Sequence, residues 1–579
     1  MEVEETWAGG LADAAKSLWS VDLADPRFQP LLEPPSDPKF GDAASGVAFR
    51  LAKDLRKPPR AIAEELAKAV AGLPYLERAE VAGAGYVNFR ATRAFHGETI
   101  LRVRAEREKF GRSPAGGGRR VLVEHCSANP TGPLHIAHGR QAAVGDALAN
   151  LLDFAGYRVD REFYVNDTGG QIENLGRAIL WRYLESIGTT FARETRGQDA
   201  WLVGHGFEFL EKNLYRGDYV SELAAEMKQR YGDGLAAKPD AVAICGRIGK
   251  ERLLEEIRKT LEDFRVRYDT WYSQEELEKS GRVEKVVEFY RSRGLAYEKD
   301  GAQFFKSKEF GDPEDRVLVK SDGSYTYRTP DIAYHRDKFE RGFETVIDLW
   351  GPDHHAHVAT MEAGLRMLDI PIGTTRAFRA LLVQHCRLLR GGAEVKMSKR
   401  AASYVTLREL IDEVGVDAAR YFFIMRKTTS HLDFDIEVAK RQTLDNPVYY
   451  AQYAHARICG ICEQGRAKGM IDPAEVRNGM WDGPFDAAHL SDGDIELVRA
   501  CRGLRRAVEA GARDLDPAIV TDFVYRLSGA FQRYYQKFEN TVLTPEEPLR
   551  RARLAACGAV RQTLRNALAI LGVSAPERL

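Results

Sequence analysis

Cysteine is scarce: the chain of 579 residues has seven, an odd number at irregular spacings. That excludes a disulfide-stapled scaffold and reads as reduced thiols. Cys459 and Cys462 form a lone CxxC, whereas a zinc ribbon needs a second such pair. Two thiols on a core-facing helix are the expectation, and a redox role for the pair stays open. Apolar runs approaching the ~20 residues of a membrane helix are missing. The start, Met1-Glu2-Val3-Glu4-Glu5, is acidic where a secretory leader is basic, so a cytoplasmic location with no membrane partner is expected. Net charge is almost lacking too, at −1 from 84 Lys+Arg against 85 Asp+Glu. Bulk electrostatics therefore neither require nor forbid a polyanionic partner, and any case for one rests on local features. Low-complexity tracts and internal repeats are absent.

What is present is an ordinary globular mixture, 44% hydrophobic and 29% charged, in a chain too long for one core. Gly111-Arg-Ser-Pro-Ala-Gly-Gly-Gly118 reads as a linker, which makes residues 1–115 a separate α+β module. Within it Val47, Leu51 and Leu55 recur at helical spacing, Pro58-Pro59 opens a helix, and Gly85-Tyr-Val-Asn-Phe89 alternates like a strand. From 119 to 430 short apolar strands alternate with helices, the βαβ pattern of a parallel-sheet nucleotide fold. A helical insertion at about 185–300 interrupts it, with no legible role. From 431 to 579 strand signals stop, and Leu554, Val560, Leu564, Leu568 and Leu571 predict an all-helical domain. The fold class is therefore α/β: a Rossmann-like parallel-sheet catalytic domain, an N-terminal α+β domain and a C-terminal all-α bundle.

The most informative stretch, Val121 to Gly139, reads as a strand, a Pro/Gly turn and a helix running to about Phe154. Free N–H groups and the positive dipole end at a helix start favour phosphate. His135 and His138, three residues apart, share a face beside it, although helix-capping histidines would look the same. Further on, Lys396 and Lys399 follow Gly391-Gly392. Compact charges on long stems suit a departing pyrophosphate, and the glycines allow a loop to close; a solvated basic loop is the bland alternative. Trp350-Gly-Pro-Asp-His-His-Ala-His357 resembles a metal cluster superficially. Its place after a strand instead suits an open ligand cleft. Tyr86 and Asn88, on one side of a predicted strand, can stack on and hydrogen-bond an unpaired base. Tyr450, Tyr453 and Arg457 form a helical stripe able to stack bases and bind phosphate, or to pack in a core.

His135-Ile-Ala-His138 resembles the HIGH signature of class I aminoacyl-tRNA synthetases, with Ala137 in place of glycine. Lys396-Met-Ser-Lys399 resembles their KMSKS signature, departing at Arg400. Glu124–Asn129, Tyr327-Arg-Thr-Pro-Asp331 and Asn446–Arg457 are similar to the arginyl-tRNA synthetase family, and the likeness extends over essentially the whole chain. It implies ATP-dependent activation of L-arginine to arginyl-adenylate and transfer to the 3' end of tRNA(Arg). It further implies an ATP site of His135, His138, Gly139, Gly351, Asp353, His354, Lys396, Met397, Ser398 and Lys399, in which both histidines and both lysines are catalytic. Mg2+ would arrive on the triphosphate, with no metal held by the protein. The arginine pocket would comprise Glu124, Asn129, Tyr327 and Asp331, the last two holding guanidinium. Tyr86 and Asn88 would read the tRNA D-loop, and Tyr450, Tyr453 and Arg457 the anticodon; the chain is read as a monomer. Alternatives are a class I enzyme for cysteine or glutamate, an inactive RNA-binding paralogue, and a nucleotidyltransferase.

Overall fold

Apolar runs such as Val121-Leu-Val123 and Val346-Ile347 suit strands covered on both faces, and they lie at the centre of a parallel sheet. The computed structural model describes residues 3–35, 37–370, 372, 377–395 and 405–579. The sheet contains β1 (Arg120–Glu124), β2 (Arg158–Val165), β3 (Thr270–Ser273), β4 (Thr345–Trp350) and β5 (Ala377–Leu382), in the order β5-β4-β1-β2-β3. Every neighbouring pair is parallel. The chain winds outward in both directions from β1 and β4, where Glu124 lies opposite Asp348. In such sheets the ligand crevice opens at that reversal, beyond the carboxyl ends of the strands.

Helix α1 (Ile136–Phe154) follows β1. It lies so close that a Cβ on Gly145 would come within 2.2 Å of the His125 ring. The crossover from β2 to β3 contains α2 (Gly170–Ser186), an antiparallel sheet of Ala192–Arg196, Asp199–Gly204 and Phe207–Leu210, then α3 (Asp218–Tyr231) and α4 (Ala241–Asp263). These elements share a core of Leu175, Ile179, Leu223, Met227 and Ile248. Helix α5 (Arg328–Glu340) leads into β4, α6 (His355–Met367) follows it, and α7 (Leu407–Val414) lies beyond the sheet.

At the N-terminal end, strands Ala43–Ser45, Leu76–Ala82 and Tyr86–Ala91 form an antiparallel sheet with Tyr86–Ala91 in the middle. Trp7, Leu11, Val47, Leu51, Leu66 and Phe89 make its core. The C-terminal helices are α8 (Pro447–Ala467), α9 (Asp492–Asp514), α10 (Ala518–Tyr535) and α11 (Glu547–Ile570). Arg499 of α9 donates from Nε to the buried Asp42 carboxylate at 2.8 Å, which fastens the N-terminal sheet to the bundle.

The glycine-rich run is not a loose linker. Gly116 and Gly118 donate backbone N–H groups to Ala155 and Gly156 carbonyls, and a Cβ on Gly116 would meet the 156–157 backbone at 2.5 Å. All seven cysteines are free and buried. Burial pushes the Cys459 and Cys462 thiols up, and Cys459 Sγ accepts from Arg561 Nε at 3.0 Å, so both are core thiols. Among the described residues no helix is long and apolar enough to cross a membrane.

Candidate active site

Where β1 ends, Cys126 and Ser127 adopt φ of +70° and +38°, a left-handed backbone that side chains other than glycine enter rarely. Ser127 helps hold it: its Oγ donates to Glu124 Oε1 at 2.8 Å and accepts the Tyr164 N–H at 3.1 Å. The chain then reaches His135, the N-cap of α1. The His135 N–H donates to His138 Nδ1 at 3.4 Å, and the two rings stack at 3.7 Å. Capping and a stacked imidazole pair thus coincide at one helix start.

Lys396, Met397, Ser398 and Lys399 lie outside the described residues, but Thr406, just beyond them, is described. Thr406 bridges His135, and the Leu407 N–H donates to Leu134 O at 2.7 Å. A Cβ on Gly139 would sit 2.7 Å from Leu407 Cδ1, so glycine lets α7 rest against the first signature. The described chain therefore resumes beside the histidines at Thr406. Gly391 and Gly392 form a hairpin turn at φ +60° and +82°, and their N–H groups donate to the Asp435 carboxylate at 3.3 and 2.9 Å. In this structure they make a pinned turn. Arg140, missed in the sequence, is a buried residue of α1 and donates to the carbonyls of Gln384, Ser430 and Lys427 at 2.7, 2.9 and 3.1 Å.

Across the β1/β4 reversal, charges alternate along one hydrogen-bonded chain. Lys338 Nζ meets Glu124 Oε2 at 2.5 Å and Asp348 Oδ1 at 2.9 Å. Asp348 Oδ2 meets His335 Nε2 at 2.5 Å, and His335 Nδ1 lies 3.1 Å from Asp331 Oδ1. Asp331 Oδ2 accepts from His357 Nε2 at 2.6 Å. The sequence pointed to both ends, Glu124 and Asp331, and missed the middle. A signal existed: Asp331, His335 and Lys338 fall on one face of α5, and an aspartate inside the apolar strand Val346–Trp350 needs a partner. Glu124, His335 and Asp348 also have metal-ligand spacing. Lys338 already supplies the cation there, within 2.9 Å of both carboxylates.

Burial opposes the charge on Asp331, yet His335 and His357 hold its carboxyl below the usual carboxylate range. Burial and the Lys338 charge press His335 down, but Asp348 and Asp331 outweigh them and lift it from 6.5 to about 9. A raised histidine stabilises the fold fully below its unfolded value and ceases to do so as pH climbs through the folded one. Between pH 6.5 and 9, the thermal midpoint of the native chain should fall more steeply than that of His335→Gln, which has no charge to lose. Parallel profiles would contradict the ionised His335.

The other sequence-predicted residues are distributed as follows. Tyr327, 64% exposed, caps the start of α5 with its ring 5.6 Å from His357. Asn129 Nδ2 donates to Gln171 Oε1 at 2.9 Å. Gly351, Asp353 and His354 follow β4, and the His354 ring lies 6.1 Å from Trp350. In the N-terminal sheet, Tyr86 is 43% exposed and edge-on to Phe49 at 5.1 Å, whereas Asn88 is only 7% exposed. On α8, Tyr450 packs against Tyr525 at 5.3 Å, and the Arg457 guanidinium lies over Tyr535 at 4.8 Å and Tyr453 at 5.9 Å.

A doubly wound parallel sheet, with stacked histidines at the first helix start and Thr406 and Leu407 set against them, defines the catalytic domain of a class I aminoacyl-tRNA synthetase. The family model for the tRNA synthetases class I (R) catalytic domain matches residues 102–458, the Arginyl tRNA synthetase N terminal domain residues 5–91, and the DALR anticodon binding domain residues 451–579. The chain belongs to the arginyl-tRNA synthetase family. It is 42% identical over 556 residues to an arginine–tRNA ligase of Citrifermentans bemidjiense, covering 95% of this chain and 94% of that one. It is 40% identical over 558 residues to that of Bacillus subtilis, at the same coverage of 95% and 94%. The fold matches Thermus thermophilus arginyl-tRNA synthetase over 100% of both chains, with a TM-score of 0.69 at 23% identity.

Proposed function

We infer that this chain is an arginine–tRNA ligase in which the arginine carboxylate attacks the α-phosphorus of ATP. Pyrophosphate leaves, arginyl-adenylate forms, and a terminal ribose hydroxyl of tRNA(Arg) then takes the arginyl group and releases AMP. The observation carrying this reading is the joining of Glu124 and Asp331 through Lys338, Asp348 and His335, with Glu124 ending the strand that leads to His135. An amino acid with two cationic ends needs two carboxylates, and Asp331 suits a planar guanidinium. Glu124 and Asn129 serve the α-ammonium, and Tyr327 closes the side-chain end.

No protein nucleophile is needed, so catalysis is positioning plus charge stabilisation. His135 and His138 meet the phosphates, with Gly139, Gly351, Asp353 and His354 around the nucleotide. Lys396 and Lys399, flanked by Met397 and Ser398, neutralise the departing pyrophosphate. Mg2+ enters as part of the nucleotide substrate. Tyr86 and Asn88 contact the D-loop, and Tyr450, Tyr453 and Arg457 the anticodon. The buried, unpaired thiols suit a reducing cytoplasm, and all these groups lie on one polypeptide, which supports a working monomer.

ATP-dependent charging of total tRNA, measured with each standard amino acid in turn, tests the assignment. Arginine alone should be joined, and charging with cysteine or glutamate instead would refute it. We further expect arginine-dependent ATP–pyrophosphate exchange to require cognate tRNA and to fall in Tyr453→Ala, because docking on α8 helps assemble the site. Brisk exchange without RNA would remove that coupling.

A further inference from the structure

The crossover between β2 and β3 reaches the loop before the first signature through Tyr219 and Gln171. Tyr219, at the start of α3, donates from its hydroxyl to the carbonyl of Thr131 at 2.8 Å. Thr131 lies in the loop Asn129-Pro-Thr-Gly-Pro-Leu134, which has no regular structure and runs from the arginine-side Asn129 to His135. Inside the loop, the Thr131 N–H donates to the Asn129 carbonyl at 2.8 Å. From α2, Gln171 holds the Asn129 amide at 2.9 Å. Gly217 shapes the contact: a Cβ there would stand 2.3 Å from the Tyr219 ring, so glycine leaves the ring room to occupy this place. Tyr219 also packs on the hydrophobic core of the insertion, which gives its hydroxyl a stiff base.

We propose that the insertion braces the signature loop, with Tyr219 as a positioning residue that acts on ATP through His135. A carbonyl fixed four residues before His135 limits how far the loop can drift, and small misplacements of a charge-stabilising group are costly. The insertion thereby takes part in activation through the loop it holds. This rests on the reading of His135 as an ATP-site residue.

The test uses the full-length enzyme with cognate tRNA. Tyr219→Phe keeps the ring and removes one hydrogen bond, and should lower kcat/KM for ATP by about three- to tenfold. Affinity for tRNA and the thermal midpoint should stay at native values. Gly217→Ala retains the hydroxyl but displaces the ring, and should reproduce the defect. In a His135→Ala background Tyr219→Phe should cost nothing further, because a residue acting through His135 has nothing left to position. Native kinetics in Tyr219→Phe, or a loss that simply adds to that of His135→Ala, would overturn the brace. Native ATP kinetics in His135→Ala alone would instead remove the reading of His135.

Discussion

Asp331→Asn should reduce kcat/KM for arginine on the order of 10²-fold while KM for ATP stays within about twofold of native, since charge-assisted hydrogen bonds to a guanidinium are each among the strongest a pocket offers. Asparagine preserves the shape, and its amide oxygen can still accept from His335 or His357, the two partners of Asp331. What disappears is the negative charge, held ionised by those histidines against burial. ATP–pyrophosphate exchange with arginine and ATP varied separately is the decisive measurement. Equal losses for the two substrates would move Asp331 out of the guanidinium site.

Lys338→Met should cost about 3–5 kcal/mol of stability, because removing one partner of a buried ion pair leaves the other charge uncompensated. Here two carboxylates are left, Glu124 at 2.5 Å and Asp348 at 2.9 Å from the missing ammonium. Burial already pushes Glu124 up with Lys338 in place, so without it protonation is the cheapest relief. The deficit should accordingly shrink at acidic pH, read as a smaller gap between variant and native thermal midpoints at pH 5 than at pH 8. A variant as stable as the native chain at both would mean that the carboxylates find another cation.

Local signals made much of the architecture readable. Helix α1 ends at Phe154 as the sequence predicts, and β2 and β4 fall within one residue of the strand-like runs Tyr157–Val165 and Glu344–Trp350. The sheet inside the insertion escaped because Ala192–Arg196 is exposed along its whole length, leaving no apolar face for alternation to reveal. Tyr86 and Asn88 do share a side of their strand, but Asn88 is paired with Ala44 and Glu80 on both flanks while Tyr86 lies at the strand end. Spacing cannot show such covering. Nor can it show what Lys338 meets: the helix face marks the residue, but its partner Glu124 is 214 positions away.

The contact between Asp42 and Arg499 joins positions 457 apart, and mechanically it makes the chain a closed frame rather than a string of modules. On the proposed reading, the Tyr86 surface reads the corner of a folded RNA and the Tyr453 surface its far loop. The span between them is then set by a charged rivet and not by a tether. Such a frame works as a caliper: an RNA with the right bases but the wrong distance between corner and loop can engage either jaw, and never both.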